Sequence, residues 1–296
     1  MDYRPGDSNQ ITREYFDSLL IELRHIDARI PDTSLSLYGE KFATPVMTAA
    51  LSHLNNCWDD GMVEMARGAR AANAVMWAGM GDEAELERIC ATGARTIKII
   101  KPYADDGVML RRIKHAEACG CFAVGMDIDH AFGSWNGEYD EVLGLQMHGK
   151  TLDDIKRYVC ATKLPFILKG VLSPTDALKC VEAGVRGIVA SHHHGIIDYA
   201  VPPLMLLPEI ITVIDGRMPV FVDCGVESGM DVFKALALGA TAVSAGRVVM
   251  GPLTENGADG VKNIIQSITG QLAGAMARTC SHDIVHIDPS VIRMRR

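Results

Sequence analysis

Ionisable residues in this chain collect at the ends of otherwise apolar segments. Lys98 and Lys101 close one such segment, and Asp127, Asp129 and His130 close the next. Lys169 follows, then Ser191-His192-His193-His194, Asp223 and finally Gly246-Arg247. A histidine beside a carboxylate suits general-base work, because its unperturbed pKa lies near neutrality. A lysine held at such an end can stabilise a developing anion. The turns Asp223-Cys-Gly-Val-Glu-Ser-Gly229 and Ala245-Gly-Arg247 suit a phosphate: glycine lets the backbone approach, helix-start amides point at the ligand and arginine adds charge. The histidine run with Asp127 or Asp129 also admits a metal site. Adjacent histidines on one strand point to opposite faces, so at most two of the three converge.

These groups need a scaffold that brings successive segment ends together. From Thr44 onward the chain alternates short β-type runs with amphipathic stretches. The strands are expected at Pro45–Ala49, Ala74–Ala78, Thr96–Ile100, Phe122–Met126, Pro165–Lys169, Gly187–Ala190, Pro219–Asp223 and Ala242–Ala245. Helical windows lie between them at Met62–Ala72, Glu83–Ala91, Gly107–Ala118, Leu152–Ala161, Pro174–Ala183 and Met230–Leu238. The strands are near-continuous apolar runs, as parallel strands covered on both faces must be. Eight such units over about 250 residues fit an α/β fold, a single-domain (β/α)8 TIM barrel, better than an open doubly wound sheet. The expected organisation is a lead-in over residues 1–43, with Arg13–Arg24 as a helix packed on the barrel, followed by the barrel over 44–296. Gly133–Lys150 is a long insertion after the fourth strand, placed either to cover the site or to serve subunit contacts.

The residues that line this scaffold carry a resemblance. Pro165-Phe-Ile-Leu-Lys-Gly-Val171, Ser191-His-His-His-Gly195, Asp198-Tyr199, Pro219–Val226 and Gly229–Ala240, together with Asp32-Thr-Ser34 and Thr44-Pro-Val-Met47, resemble the FMN-dependent α-hydroxy-acid oxidases and dehydrogenases. That family includes glycolate oxidase, lactate oxidase and mandelate dehydrogenase. The resemblance implies bound FMN, a small-molecule substrate and a homo-oligomer, by analogy a tetramer. It implies that His193 is the base, that Lys169 stabilises the reduced flavin anion, and that an aspartate at the end of strand four, Asp129 with Asp127 in reserve, supports the imidazolium. It also implies that Ala49, Ala50, Gly79 and Lys98 lie beside the flavin ring. Ser191 would then bond the ribityl chain or the ring, Asp223 the ribityl hydroxyls, and Gly225, Gly246 and Arg247 the phosphate.

Four departures from that pattern stand out. Gly195-Ile196-Ile197 stands where the family has an arginine that clamps the substrate carboxylate, and Glu227 replaces an arginine of the phosphate loop. Lys98 and Ile100 stand in place of a glutamine and a tyrosine, and Tyr3 is a weak match to the family's substrate tyrosine. Three readings follow: an FMN oxidoreductase with an altered substrate, a flavin barrel without net redox change resembling type 2 isopentenyl-diphosphate isomerase, or a barrel without catalysis. Under the first, the substrate is neutral at its clamped end or is anchored by the insertion through Trp135 or Tyr139. Composition narrows the partners. A formal charge of −8 and a pI near 5.7 argue against nucleic acid and anionic membranes, and no apolar run is long enough to span a bilayer. The start of the chain lacks a secretory pattern, and the eight scattered cysteines read as reduced, small buried hydrophobes, so a cytoplasmic protein without a structural metal is expected.

Overall fold

The computed structural model describes residues 4–133 and 137–295; Tyr3 lies outside them. Eight parallel strands form one sheet: β1 (Val46–Thr48), β2 (Met76–Ala78), β3 (Thr96–Ile100), β4 (Ala123–Asp127), β5 (Phe166–Lys169), β6 (Gly187–Ala190), β7 (Val220–Val222) and β8 (Ala242–Ala245). From β2 to β8 each pairs with its neighbour in sequence, and β8 returns to β1. The seam between β1 and β2 closes through a bridge from Leu51 to Ala78, and the Trp77 N–H donates to Thr48 Oγ1 at 3.0 Å. The sheet is therefore a (β/α)8 TIM barrel, and every residue of its strands is buried. Trp77 of β2 meets Phe221 of β7 edge to face at 5.4 Å. Those strands are not neighbours, so the ring contact crosses and fills the barrel interior.

The outer helices are α1 (Gly61–Ala71), α2 (Glu83–Ala91), α3 (Asp106–Ala118), α4 (Leu152–Cys160), α5 (Pro174–Glu182), α6 (Pro203–Ile214), α7 (Gly229–Ala237) and α8 (Arg247–Ala277). Short polar side chains start several of them by accepting orphan N–H groups. Asp82 starts α2, Asp105 starts α3 and Ser173 starts α5 ahead of Pro174. Thr151 with Asp154 and Ser228 with Asp231 form reciprocal capping boxes for α4 and α7. α8 is interrupted where Asn256 and Gly257 leave helical geometry.

Residues 4–43 are tied to both ends of the barrel. The expected helix over Arg13–Arg24 is instead a helix at Ser8–Ser18 followed by a strand at Leu19–Ile21. The apolar run Leu19-Leu20-Ile21 finds an antiparallel partner in Ile292–Met294, which no local periodicity announces. The hairpin Leu35–Leu37 with Glu40–Phe42 lies at the strand N-termini, where Tyr38 packs against Phe122 and its hydroxyl donates to the Arg186 carbonyl at 2.7 Å. The insertion contains a small hairpin, Glu141–Val142 with Leu145–Gln146. It docks on the loop after β3: the Ala104 N–H donates to the Gln146 carbonyl at 2.8 Å and the His148 N–H to that of Pro102 at 2.9 Å.

One strand register sets the geometry of the barrel mouth. β4 and β5 pair with Asp127 opposite Lys169, so an acid and a base leave the sheet side by side. Two residues below, Gly125 lies opposite Ile167, and a Cβ added to Gly125 would sit 2.2 Å from the Ile167 carbonyl oxygen. Gly125→Ala should therefore push β4 from β5, lowering stability by about 1–3 kcal/mol, read as a fall in thermal midpoint. An unchanged midpoint would show that the strands separate freely there.

Candidate active site

The alternation of a strand decides which side chains reach the barrel mouth. On β5 and β4, Lys169 and Asp127 point inward, and the loop after β4 brings in Asp129. On β3 the inward set is Ile97, Ile99 and Lys101, since Ile99 faces Gly125 and Lys101 Nζ donates to Asp127 Oδ2 at 2.8 Å. Lys98 has the opposite parity. Its ammonium is buried beneath α2 and α3, donates to the Gly79 carbonyl and has Glu85 and Arg112 for neighbours. Burial there lowers its pKa to about 8. Lys98, expected beside the flavin, is thus turned outward toward α2 and α3, and the strand's second lysine, Lys101, takes the inward place.

Lys169 is the hub of the mouth. Its Nζ lies 3.4 Å from Asp127 Oδ1, 3.6 Å from Asp223 Oδ2 and 3.2 Å from His193 Nδ1. Burial works against its charge, but Asp127, Asp223 and Asp129 outweigh that and hold the ammonium above the usual lysine range. Burial opposes the charge on Asp127 too, yet Lys169, Lys101 and His193 hold its carboxyl below the usual range. Two lysines against three aspartates leave the cluster one negative charge, which a proton on His193 would neutralise.

The three consecutive histidines have different environments. His192 is buried; its Nδ1 accepts the Gly195 N–H at 2.9 Å and its Nε2 lies 2.7 Å from Thr12 Oγ1, so both nitrogens are engaged by the fold. His193 has φ 50° and its N–H donates to Ser191 Oγ at 3.0 Å. That bond aims its ring at Asp129, whose Oδ1 is 3.1 Å from Nδ1, while Asp127 Oδ1 is 3.9 Å away. With the Nδ1–H donated to Asp129, Nε2 is left free to accept a proton from a substrate, and the Lys169 ammonium lies beside the ring. Gly170, at φ +91°, makes room for this: a Cβ there would lie 2.3 Å from the Asp129 carboxyl carbon. His194 lines the mouth, and Asn9 donates to its carbonyl at 3.0 Å. Asp127, Asp129 and His193 also stand close enough to share an ion, but Asp127 already carries two ammonium groups, which oppose a further cation.

A cleft of about 490 Å³ opens beside the cluster, within the range of small-molecule sites. Ala49, Ala50, Lys169, His193, Asp223, Gly225, Gly246 and Arg247 line it. Ser191 sits behind, supporting His193. Gly79 also sits behind, where a Cβ would lie 2.7 Å from the Ala50 carbonyl oxygen. At the far end Gly246 precedes α8, and a Cβ on it would stand 3.4 Å from that of Ala49. The exposed Arg247 guanidinium makes no ion pair or hydrogen bond among the described residues, although it lies near His194. Glu227 stands at the rim: its N–H donates to Asp231 Oδ2 at 3.1 Å and its side chain is exposed. The helix Ser8–Ser18 fixes this loop, since Arg13 pairs with Asp231 at 2.9 Å and donates to the Gly225 carbonyl at 3.1 Å.

A charged mouth with a glycine-arginine cradle beside it is the arrangement in which TIM-barrel enzymes bind phosphate-bearing molecules. Similarity to known proteins sharpens this. The FMN-dependent dehydrogenase family matches over residues 5–151 and 136–294. A peroxisomal (S)-2-hydroxy-acid oxidase of Oryza sativa subsp. japonica is 30% identical over 286 residues, 85% of this chain and 78% of that protein. The 4-hydroxymandelate oxidase of Amycolatopsis orientalis is 30% identical over 277 residues, 82% of this chain and 78% of that one. Among solved structures, a mandelate oxidase variant with the monooxide FMN adduct superposes with a TM-score of 0.88 at 29% identity, covering 99% of this chain and 93% of that one. Another, with 2-hydroxy-phenylacetamide, gives 0.87 at 28% identity over 97% and 89%.

This chain belongs to the FMN-dependent dehydrogenase family. It is an oxidoreductase resembling the 2-hydroxy-acid oxidases, with FMN as its cofactor. The cleft fits that group, offering a buried cation at one end and an unpaired arginine at a helix start at the other. No described helix is long and apolar enough to cross a membrane.

Arg247→Ala should weaken FMN binding by about ten- to a hundredfold, the worth of one charge-assisted contact, and leave riboflavin binding unchanged. Equal losses for both ligands, followed by flavin fluorescence quenching, would place the phosphate elsewhere.

Proposed function

We propose that this enzyme oxidises a 2-hydroxy compound whose end next to the carbinol is neutral rather than a free carboxylate. The observation that carries the reading is the charge of the mouth: both inward lysines are tied to Asp127, and the cluster is net negative while His193 is unprotonated. A substrate carboxylate placed there would meet repulsion, and the segment that would supply a clamping arginine, Gly195-Ile196-Ile197, has no cation.

Bound FMN supplies a two-electron acceptor. His193 takes the substrate proton at Nε2, and the proton completes the charge balance of the cluster. Asp129 accepts the Nδ1–H of the resulting imidazolium, fixing ring orientation as well as charge. Lys169, held positive by three carboxylates, offers the cation next to the cleft that favours negative charge on a reduced cofactor. Asp223, Gly225, Gly246 and Arg247 hold the cofactor's polar tail, with Ala49 and Ala50 forming the smooth wall beside its ring.

His130 supports the neutral-substrate reading. Its ring stands edge-on to His193, centroids 5.0 Å apart, and its Nδ1 is 3.4 Å from Asp140 Oδ2 at the base of the inserted hairpin. Burial, then Lys101 and His193, push its pKa down, which favours an uncharged ring beside His193. The second mandelate oxidase variant above is described with a neutral amide, which is consistent with this barrel type admitting such a group. Of the two anchors expected in the insertion, Trp135 lies outside the described residues, and Tyr139 stacks on Phe132 at 5.1 Å within the insertion itself. The isomerase reading is less favoured, since a diphosphate would need free cations at the mouth and both lysines there are neutralised.

His193→Ala should keep the flavin yet slow its reduction by roughly 10² or more in anaerobic stopped flow. His192→Ala should instead lower thermal stability; the same kinetic loss from His192 alone would reassign the base. Across a panel, 2-hydroxy amides and esters should bleach the flavin with kcat/KM about a hundredfold or more above lactate, glycolate and mandelate, the scale of a lost charge-assisted contact plus repulsion. Rapid bleaching by the free acids at low concentration would reveal a carboxylate clamp.

A further inference from the structure

Away from the mouth, the fold brings together two cysteines that are far apart in sequence. Cys90 closes α2, and Cys121 follows α3 just before β4; their sulfurs are 3.6 Å apart. Among the described residues no other two thiols come within that distance. Cys121 is buried, whereas Cys90 is half-buried and opens on a surface depression of about 380 Å³ between α2 and α3. Cys119 lines the same depression but is turned to His115, with Sγ 3.5 Å from Nε2. The one buried cation of this flank among the described residues, Lys98, lies close enough to act on both thiols.

We propose that Cys90 and Cys121 are a modification site: a dithiol that hydrogen peroxide converts to an intramolecular disulfide. The roles follow from access and charge. Cys90 faces solvent, and the hydrogen bond with Cys121, against the opposing effect of burial and helped by Lys98, draws its thiol pKa below the ordinary value. Cys121, which gives up its proton last, is held above it by the same contact and by burial. The Cys90 thiolate attacks one peroxide oxygen, the O–O bond breaks, and hydroxide leaves and takes up a proton as water. Cys121 Sγ then attacks the Cys90 sulfenic sulfur; the S–S bond forms, the S–O bond breaks, and the departing hydroxide carries off the Cys121 proton as a second water. Two thiols lose two electrons and two protons, and one peroxide gains them. Closing from van der Waals contact to a bond of about 2 Å needs only a small approach of the α2 end toward the β4 entry.

The site is independent of the substrate reading, and its test needs no substrate. Reduced holoenzyme is exposed to a few equivalents of hydrogen peroxide, quenched with N-ethylmaleimide in denaturant so that buried thiols also react, and mapped by peptide mass spectrometry. The expected result is one species lacking two hydrogens, with Cys90 joined to Cys121 and the other six of the eight cysteines alkylated. Dithiothreitol should reverse it. Cys119→Ala should form the same link, and Cys121→Ala should stop at Cys90 bearing one added oxygen. A link from Cys90 to Cys119, or Cys90 and Cys121 both still alkylatable after a dose that oxidises methionines, would overturn the assignment. The wild-type map decides the matter even where a variant fails to fold.

Discussion

The buried contact between Asp127 and Lys169 is the constraint on which the rest of the mouth depends. It comes from strand register, since a one-residue slip of β4 against β5 would turn Asp127 toward the helices and leave Lys169 facing Met126. Neither charge tolerates burial alone. Removing one partner of such a pair costs about 3–5 kcal/mol, because the other is left uncompensated. Lys101 and Asp223 spread the arrangement across β3 and the end of β7, so four strands are held to a common geometry by charge as well as by packing. Specificity of arrangement, rather than net stability, is what this network supplies.

The same constraint organises the chemistry. With His193 uncharged the cluster carries one net negative charge, which a single added proton on the ring would balance, and this is what the proposed role of His193 as base draws on. Orientation is handled separately: Ser191 fixes the backbone of His193, Gly170 clears space for Asp129, and Thr12 holds His192 away from the cleft. The N-terminal helix thereby touches the glycine turn at Gly225 through Arg13 and the histidine run through Thr12. Its removal would disturb both ends of the cleft together.

Much of this is legible in the sequence, and the rest is not for identifiable reasons. The eight barrel strands fall inside or beside their expected ranges because buried parallel strands leave a continuous apolar mark, and most helix starts carry a Ser, Thr or Asp cap. Lys169, His193, Asp129 and Asp223 converge as their positions at strand ends imply. Lys98 does not, although alternation holds the answer: Ile97, Ile99 and Lys101 share one face of β3 and Lys98 lies on the other. The strand at Leu19–Ile21 leaves no local signal because its partner is at the opposite end of the chain. The Cys90–Cys121 contact is hidden for the same reason, and adjacency points to Cys119 and Cys121 instead. Local pattern reports periodicity and caps; it carries no information on which distant segments meet.

Lys169 stands as a charged group, kept so by Asp127 and Asp223, on the wall of the cleft proposed to hold the flavin. The decisive readout is the midpoint potential of bound FMN in the wild type and in Lys169→Met. Loss of a positive charge at that edge destabilises the reduced, more negative flavin, so a lower potential is expected in the variant. A potential that is unchanged or higher, in a variant that still binds FMN, would contradict a charged Lys169 at the flavin.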